Sequence, residues 1–188
     1  MLSARSPFLY EGPARQAVHR LKFSGWRDVG TALAAAIAVC EGLPPADVVT
    51  WVPLGRRRLS DRGYDQARAL ATGLARELHV PARRLLRRTV ATGPQARRRG
   101  EERRSAMRGA FVAVRRAPGR VLLVDDVLTT GATVAACAEA LVAAGAREVH
   151  VAAAARSFHA PALRTPSGRA YPRVGSRPGL WLPGDPPR

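Results

Sequence analysis

Residues 121–133 read VLLVDDVLTTGAT, and this stretch decides the fold. The four apolar residues at 121–124 predict a buried central strand, because short, fully apolar runs are typical of parallel sheets. Two adjacent acids, Asp125 and Asp126, follow that strand, and a turn of small residues then opens a helix near Val134. Ligands of open α/β sheets bind at the carboxyl ends of the strands, so the stretch predicts a polar site there.

The turn after the two acids is suited to a phosphate group. It combines threonine hydroxyls, a glycine that permits close approach to the backbone, and the positive end of a helix dipole. The acids would repel a bare phosphate, so they indicate sugar hydroxyls or a magnesium ion as their partner. The alternative is an ordinary capped turn beside two solvated acids. That alternative does not explain why two like charges stand next to each other at a sheet edge. A phosphorylated ribose satisfies both halves of the motif.

The rest of the chain alternates helical and strand patterns. Helical periodicity predicts helices at residues 12–21, 28–41, 67–79 and 133–144. Apolar runs predict strands at residues 46–54, 110–114, 121–124 and 148–155, with a loop, GRRRLSDRG, after Pro53. This order predicts an α/β fold, a mostly parallel central sheet flanked by helices, with an N-terminal helical pair.

Composition divides the chain into a domain and a tail. We expect one domain at residues 8–157, since this length can bury a self-sufficient core. Residues 158–188 hold seven prolines and four glycines in thirty-one residues, which predicts a disordered tail. Cys40 and Cys137 lie in apolar helical patterns without metal-ligand spacing, so we interpret both as buried thiols.

Positive charge is the unusual property of the composition. The formal net charge is +17, and Lys22 is the only lysine. Thirteen arginines against two glutamates lie in residues 83–120. The segment is therefore expected to face a polyanion, to act as a mobile loop that closes over phosphates, or both.

Several other classes of protein are excluded. A Walker loop needs Gly-Lys-Ser/Thr, whereas Phe23 follows the one lysine, and no Gly-x-Gly-x-x-Gly opens a helix. The four histidines are scattered, so metal or triad chemistry lacks parts. No apolar run is long enough for a membrane span and no secretory signal is visible, so we expect a cytoplasmic protein.

Residues 121–133 match, residue for residue, the phosphoribosyl diphosphate signature of the type I phosphoribosyltransferase family. The chain also resembles the ComF branch of that family through shorter pieces in the same order: Tyr10 with Lys22 and Phe23, residues 47–54, residues 62–67 (RGYDQA), Gln95 with Arg103 and Arg104, and residues 109–111. The resemblance covers about residues 10–157. It implies the type I phosphoribosyltransferase fold.

The resemblance also implies roles for individual residues. Asp125 and Asp126 would be the catalytic acids, binding the ribose hydroxyls and helping to hold Mg²⁺. The 5-phosphate would lie on Thr129, Thr130, Gly131, Ala132 and Thr133. The diphosphate would be held by Pro53, Leu54, Arg56, Arg57, Arg58 and Arg62, since arginine matches phosphate oxygens in a fork geometry. A flexible hood at about residues 89–108 would include Gln95, Arg103 and Arg104.

The implied function is binding of 5-phosphoribosyl 1-diphosphate and transfer of its phosphoribosyl group to a nitrogen acceptor, with release of diphosphate. The ComF branch is associated with DNA uptake, so the rival is a competence-associated protein that binds single-stranded DNA or its uptake machinery without turnover. Against the rival, residues 83–120 contain one aromatic, Phe111, and lack stacking platforms. The acceptor and the oligomeric state, a homo-oligomer included, stay open.

The sequence departs from the branch at three points. Members commonly begin with a four-cysteine zinc ribbon, which these residues do not contain, so contacts made through it are in doubt here. Tyr64 and Asp65 stand where Phe and Asn are usual, and Ala106 replaces a usual Asn. An acid at Asp65 near a polyanion is unfavourable unless it faces magnesium or a helix N-terminus.

Overall fold

The computed structural model describes residues 3–23, 27–89 and 109–157. The predicted hood residues Gln95, Arg103 and Arg104, and the predicted tail at residues 158–188, lie outside this part of the chain. The strands are β1 (Ala4–Arg5), β2 (Phe8–Leu9), β3 (Val48–Trp51), β4 (Leu86–Arg88), β5 (Phe111–Ala113), β6 (Arg120–Leu128) and β7 (Glu148–Arg156). The helices are α1 (Gly12–Phe23), α2 (Arg27–Ala38), α3 (Arg56–Arg62), α4 (Gln66–Glu77) and α5 (Ala132–Ala143).

Five of the strands form one parallel sheet. The order runs β1, β7, β6, β3, and β2 pairs with the same strand as β1, namely β7. β6 is central, with β3 on one side and β7 on the other. The predicted α/β fold with a mostly parallel sheet is thereby confirmed.

Helices cover both faces of this sheet, because side chains of β6 alternate between two hydrophobic clusters. Val121 and Leu123 face the cluster that contains α5, whereas Leu122 and Val124 face the cluster that contains α1, α2 and α4. All four residues are fully buried. The apolar run that opens the deciding stretch is therefore the centre of a three-layer core, and it fixes where the polar residues after it lie.

A small antiparallel pair, β4 with β5, lies beside α5 and brackets residues 90–108. At its open end the backbone N–H of Thr89 donates to the carbonyl of Ala110 at 3.0 Å. The Thr89 hydroxyl donates to the carbonyl of Gly109 at 2.7 Å. The two ends of the intervening segment are thus tied together.

Two expectations about the site region are wrong. β6 does not end before the acids but continues to Leu128, because β7 runs alongside as far as Arg156 and satisfies its backbone. The predicted loop after Pro53 contains helix α3, which ends at Gly63 in a left-handed conformation with φ of 72°. Glycine adopts that conformation without strain, so it can stop the helix after two turns.

The remaining differences are small. Cys137 is buried as predicted, whereas Cys40 lies just past the end of α2 and is only half-buried. Strands β1, β2 and β4 were not predicted because each spans three residues or fewer, too short for a periodic pattern. Within residues 3–23, 27–89 and 109–157, no helix has the length and apolar character that crossing a membrane requires.

Candidate functional site

Asp125 and Asp126 lie in β6 just beyond the point where its neighbour β3 stops. β3 pairs with β6 as far as Trp51 opposite Val124, and one further hydrogen bond joins the Val52 amide to the Val124 carbonyl at 2.9 Å. From Asp125 onward the strand ladder continues on the β7 side alone. The pairing with β3 thus ends just before the two acids, which lie toward the carboxyl end of the sheet, where ligands of α/β folds bind.

The carboxylate of Asp126 is held by two side chains from other parts of the chain. Lys22 of α1 places its ammonium 3.1 Å from Oδ2 of Asp126. Gln66, the first residue of α4, donates its side-chain amide to the same oxygen at 3.1 Å. Lys22 also lies over the ring of Tyr10, with 6.0 Å between the ammonium and the ring centroid. Both donors use Oδ2, so among the described residues these two contacts leave Oδ1 of Asp126 to a ligand.

Gln66 itself has an unsatisfied group. The residue is 5% exposed, and its carbonyl oxygen Oε1 is buried without a hydrogen-bond partner among the described residues. A buried acceptor that lacks a donor costs about 1–3 kcal/mol. The unsatisfied carbonyl oxygen of Gln66 therefore favours a ligand that can donate a hydrogen bond to it.

Asp125 differs from Asp126 in its surroundings. Its Oδ1 accepts the backbone N–H of Asp126 at 2.8 Å. Burial raises the pKa of Asp125 well above its usual range, and the negative charge of Asp126 raises that pKa further, while Lys22 acts in the opposite sense. The adjacent acids thus form an unequal pair, in which Asp125 resists carrying a charge.

The turn of small residues follows β6 directly and leads into α5. Thr129 and Thr130 are exposed, and Gly131 has a left-handed φ of 74° at the cap position of α5. Gly131 provides no side-chain cap, and the Ala132 amide donates a long hydrogen bond, 3.4 Å, to the hydroxyl of Thr130. The start of α5 thus follows directly on two exposed threonines, an order of residues that suits an anion at a helix N-terminus, although Gly131 and Ala132 themselves are buried.

The predicted diphosphate residues divide into three groups. Pro53 is buried and Leu54 half-buried at the end of β3, where they shape the backbone leading to Gly55. Arg56, Arg57 and Arg58 open α3; Arg58 is exposed, and the side chains of the other two lie outside the described part. Arg62 lies with its guanidinium 5.2 Å from the ring centroid of Phe23.

Arg88 of β4 approaches the same loop. A Cβ on Gly55 would lie 3.8 Å from Cδ of Arg88, and the guanidinium lies 5.4 Å from the ring centroid of Phe111. Burial lowers the pKa of Arg88, and the positive charge of Arg58 lowers it further. Arg58 and Arg88 therefore lie within electrostatic range of each other close to Gly55, and an anion there would weaken their repulsion.

Asp65 faces a helix N-terminus, one of the two conditions stated for an acid at this position. Its carboxylate accepts the backbone N–H of Arg68 at 3.1 Å and caps α4. Burial raises the pKa of Asp65, while hydrogen bonds from backbone amides lower it. The cap fixes the start of α4 and hence the position of Gln66 next to Asp126.

The acids fit a magnesium ion that arrives with its substrate. Carboxylate oxygens are the ligands that Mg²⁺ prefers, and the ion is commonly held by one or two of them together with substrate phosphates. Residues 3–23, 27–89 and 109–157 contain no cluster of three or more His, Cys, Asp or Glu side chains suited to a metal on their own. Asp125 and Asp126 would thus complete the coordination of an ion already carried by phosphates.

Sequence reasoning assigned no role to Lys22, Gln66 or Arg88. Lys22 and Gln66 fall in the short pieces that resemble the ComF branch, which was the one signal available for them. Gln66 lies 60 residues from Asp126 along the chain, so its contact depends on the folded topology. Arg88 is one of many arginines in its segment, and no pattern distinguishes it.

Known proteins resemble this chain in sequence and in structure. The DNA utilization protein YhgH of Escherichia coli strain K12 is 34% identical over 149 residues, which cover 74% of this chain and 66% of YhgH. Competence protein F of Haemophilus influenzae is 32% identical over 152 residues, again with 66% of its length covered. The chain therefore spans just under two thirds of the length of these curated relatives.

Among solved structures, the glutamine phosphoribosylpyrophosphate amidotransferase from B. subtilis aligns with a TM-score of 0.52 and 25% identity, covering 77% of this chain and 32% of the other. The family model of the phosphoribosyl transferase domain matches residues 65–169, more than half of the chain. The chain belongs to the phosphoribosyl transferase domain family. Its curated relatives, YhgH and Competence protein F, are consistent with a ComF-like branch of that family.

Proposed function

We propose that the chain binds 5-phosphoribosyl 1-diphosphate with Mg²⁺ and transfers the phosphoribosyl group to a nitrogen acceptor. One observation carries the proposal: the pairing of β6 with β3 ends just before Asp125 and Asp126, and the turn holding Gly131 follows in the same strand-to-helix connection. The two acids would bind sugar hydroxyls, and the amides after Gly131 would bind a phosphate. These two groups lie only a few residues apart in the sequence. Membership of the phosphoribosyl transferase domain family supports the assignment.

Each group of residues would meet one part of the substrate. The first-turn amides of α5 and the hydroxyls of Thr129, Thr130 and Thr133 would hold the 5-phosphate. The acids would receive the ribose hydroxyls, and the guanidinium groups near Gly55 would receive the diphosphate. Bound with the substrate, Mg²⁺ would neutralise charge that develops on the departing diphosphate.

The reaction requires positioning more than covalent help from the protein. The bond between the anomeric carbon and the diphosphate oxygen breaks, and the diphosphate leaves with the bonding electrons. The resulting positive character at the anomeric carbon is met by the lone pair of the acceptor nitrogen, which then loses a proton. Residues that hold the sugar and the diphosphate in line lower the barrier by orientation and by charge stabilisation.

Binding can be tested by calorimetric titration of phosphoribosyl diphosphate with MgCl₂ into the wild type and the Asp125→Ala/Asp126→Ala variant. The variant should lose detectable binding. Asp28→Ala/Glu139→Ala removes two exposed acids from helices α2 and α5. It serves as a charge-matched control and should bind as the wild type does. Equal affinity in all three proteins would disprove the assignment. Release of diphosphate with ammonia or free nucleobases would then identify the acceptor.

A second function, binding of single-stranded DNA, is favoured by a specific surface feature. Phe23 is 63% exposed, lies 4.6 Å from the His19 ring and has the Arg62 guanidinium over its face. Exposed aromatic rings beside arginine are typical platforms for stacking bases of single strands. The names of the relatives, DNA utilization protein and Competence protein F, agree with such a role.

A further inference from the structure

Lys22 reaches the proposed sugar site from outside the strand-to-helix motif. It lies in α1, more than a hundred residues before Asp126, yet its ammonium lies 3.1 Å from Oδ2. The Lys22 side chain is 20% exposed and the Asp126 side chain 11%, so the pair is largely shielded from water. A shielded ion pair toward the carboxyl end of the sheet calls for an explanation beyond stability, since such pairs often contribute little to folding.

The geometry of the pair points to orientation of Asp126. Lys22 and Gln66 both act on Oδ2, from α1 and α4 respectively, and so fix the carboxylate from two directions. A carboxylate anchored through one oxygen presents the other in a defined direction. Gln66 adds its buried Oε1, which has no hydrogen-bond donor within residues 3–23, 27–89 and 109–157 and lies next to the same carboxylate.

We propose that Lys22, together with Gln66, is a positioning residue for sugar recognition. The inference rests on the proposed function and deepens it. Lys22 neutralises Asp126 and turns Oδ1 toward a ribose hydroxyl, while Oε1 of Gln66 accepts a hydrogen bond from a sugar hydroxyl. The ligand class is therefore a ribose phosphate, recognised through its hydroxyls by Asp126 and Gln66 and through its phosphate by the turn before α5.

The proposal separates recognition of the sugar from recognition of the phosphate. Lys22 acts through Asp126, so its loss should weaken a ligand that carries ribose and leave a bare phosphate unaffected. General damage to the fold would instead weaken both ligands. A comparison of ribose 5-phosphate with inorganic phosphate therefore distinguishes a positioning role from a structural one.

The experiment measures dissociation constants of ribose 5-phosphate and of inorganic phosphate, each with MgCl₂, by calorimetry or ligand-observed NMR. The full chain is compared with Lys22→Met, which removes the charge and keeps the length, and with Lys22→Arg, which restores the charge. Arg15→Met removes one exposed charge from the same helix and is the matched control. Gln66→Met tests the second donor.

Partners that orient metal-binding carboxylates typically contribute about 10–100-fold in affinity, and Lys22 would orient Asp126 in the same way, so Lys22→Met should bind ribose 5-phosphate at least about tenfold more weakly. Its affinity for inorganic phosphate should match the wild type, Lys22→Arg should recover most of the loss, and Arg15→Met should show none. Gln66→Met should resemble Lys22→Met.

Two results would overturn the inference while leaving the proposed function intact. In one, the wild type prefers ribose 5-phosphate over phosphate and Lys22→Met keeps the same preference. In the other, Lys22→Met loses both ligands equally, which would mean a structural role or direct contact with the phosphate. A wild type that does not distinguish the two ligands would also overturn the inference, whereas the proposed function fails only if phosphoribosyl diphosphate itself does not bind.

Discussion

The side chain of Asp125 predicts how stability changes with pH. Burial raises its pKa in the folded state above the unfolded value near 4, so its contribution to stability is present below about pH 4 and is lost as pH rises through the folded pKa. Asparagine cannot ionise, so the Asp125→Asn variant should not lose stability as the pH rises. The variant should gain about 1 kcal/mol, or ~2–4 °C in melting temperature, at about pH 9 and almost nothing at low pH.

Thermal unfolding across the pH range checks this prediction. Asp61→Asn alters an exposed acid of α3 and should show no comparable gain at high pH. A melting temperature of Asp125→Asn below that of the wild type at every pH would contradict the prediction. Since the gain comes from a proposed substrate-binding acid, it should be accompanied by weaker binding of phosphoribosyl diphosphate.

Residues differ in how far the sequence predicts their roles. Asp125 and Asp126 could be identified because a strand, two acids and a turn follow one another without interruption, so local order alone places them at a sheet edge. Lys22 and Gln66 meet Asp126 only after α1 and α4 have packed on the sheet. A contact of that kind depends on the crossing of separate elements, which periodicity does not encode.

The connection between β6 and α5 depends on the conformation of Gly131. Its φ of 74° lies in the left-handed region, where a side chain costs about 1–2 kcal/mol. Gly131→Ala should lower the melting temperature by ~2–8 °C and weaken phosphate binding. Gly55→Ala is the control for stability alone, since Gly55 has φ of −67° and an added Cβ meets Arg88 Cδ at an ordinary 3.8 Å. Equal stability of both variants would show that the turn tolerates a side chain.

Two helical glycines differ in how much room their neighbours leave for a side chain, so substitution by alanine should affect stability differently at each. A Cβ on Gly73 would lie 2.8 Å from the Cβ of Ala34, so Gly73→Ala should destabilise the fold by about 1–3 kcal/mol. A Cβ on Gly30 would meet the flexible tip of Leu21 at 3.4 Å. Gly30→Ala should therefore be neutral or stabilise by up to ~1 kcal/mol through helix propensity. Chemical denaturation of both variants measures the difference, and equal losses would contradict the prediction.

Long elements with strong periodicity were predictable, and short ones were not. The pattern of α4, with Leu70 and Leu74 on one face, gave its position within a residue or two. Helix α3 was missed because its arginines carry no apolar period, and its end is set by the left-handed Gly63. The length of β6 was underestimated because the pairing that sustains it comes from β7, which lies later in the chain.

At the scale of the whole molecule, the net charge of +17 predicts affinity for single-stranded nucleic acid that depends steeply on salt. Anisotropy of a labelled oligonucleotide should show binding that weakens about tenfold or more as NaCl rises through the physiological range. Phe23→Ala should cost a further ~1–3 kcal/mol at every salt concentration, because stacking is not screened. Val142→Ala, an exposed apolar change on α5, is the control and should have no effect.

The salt dependence distinguishes two sources of affinity. If Phe23→Ala binds as well as the wild type, the stacking platform is absent and charge alone accounts for binding. If no binding is detected at low salt, the second proposed function fails, while the sugar-phosphate site is unaffected.

The hydrogen bonds from Thr89 to Gly109 and Ala110 hold the residues that flank positions 90–108 next to each other. Because the two flanking residues already lie side by side, the residues between them can be shortened or replaced without moving either strand. Loop closure becomes cheaper by about 0.6 kcal/mol for each halving of length, so a two-residue turn in its place should leave the melting temperature unchanged or higher. The number and charge of the residues at positions 90–108 could therefore be changed without disturbing the β4–β5 pair on either side of them.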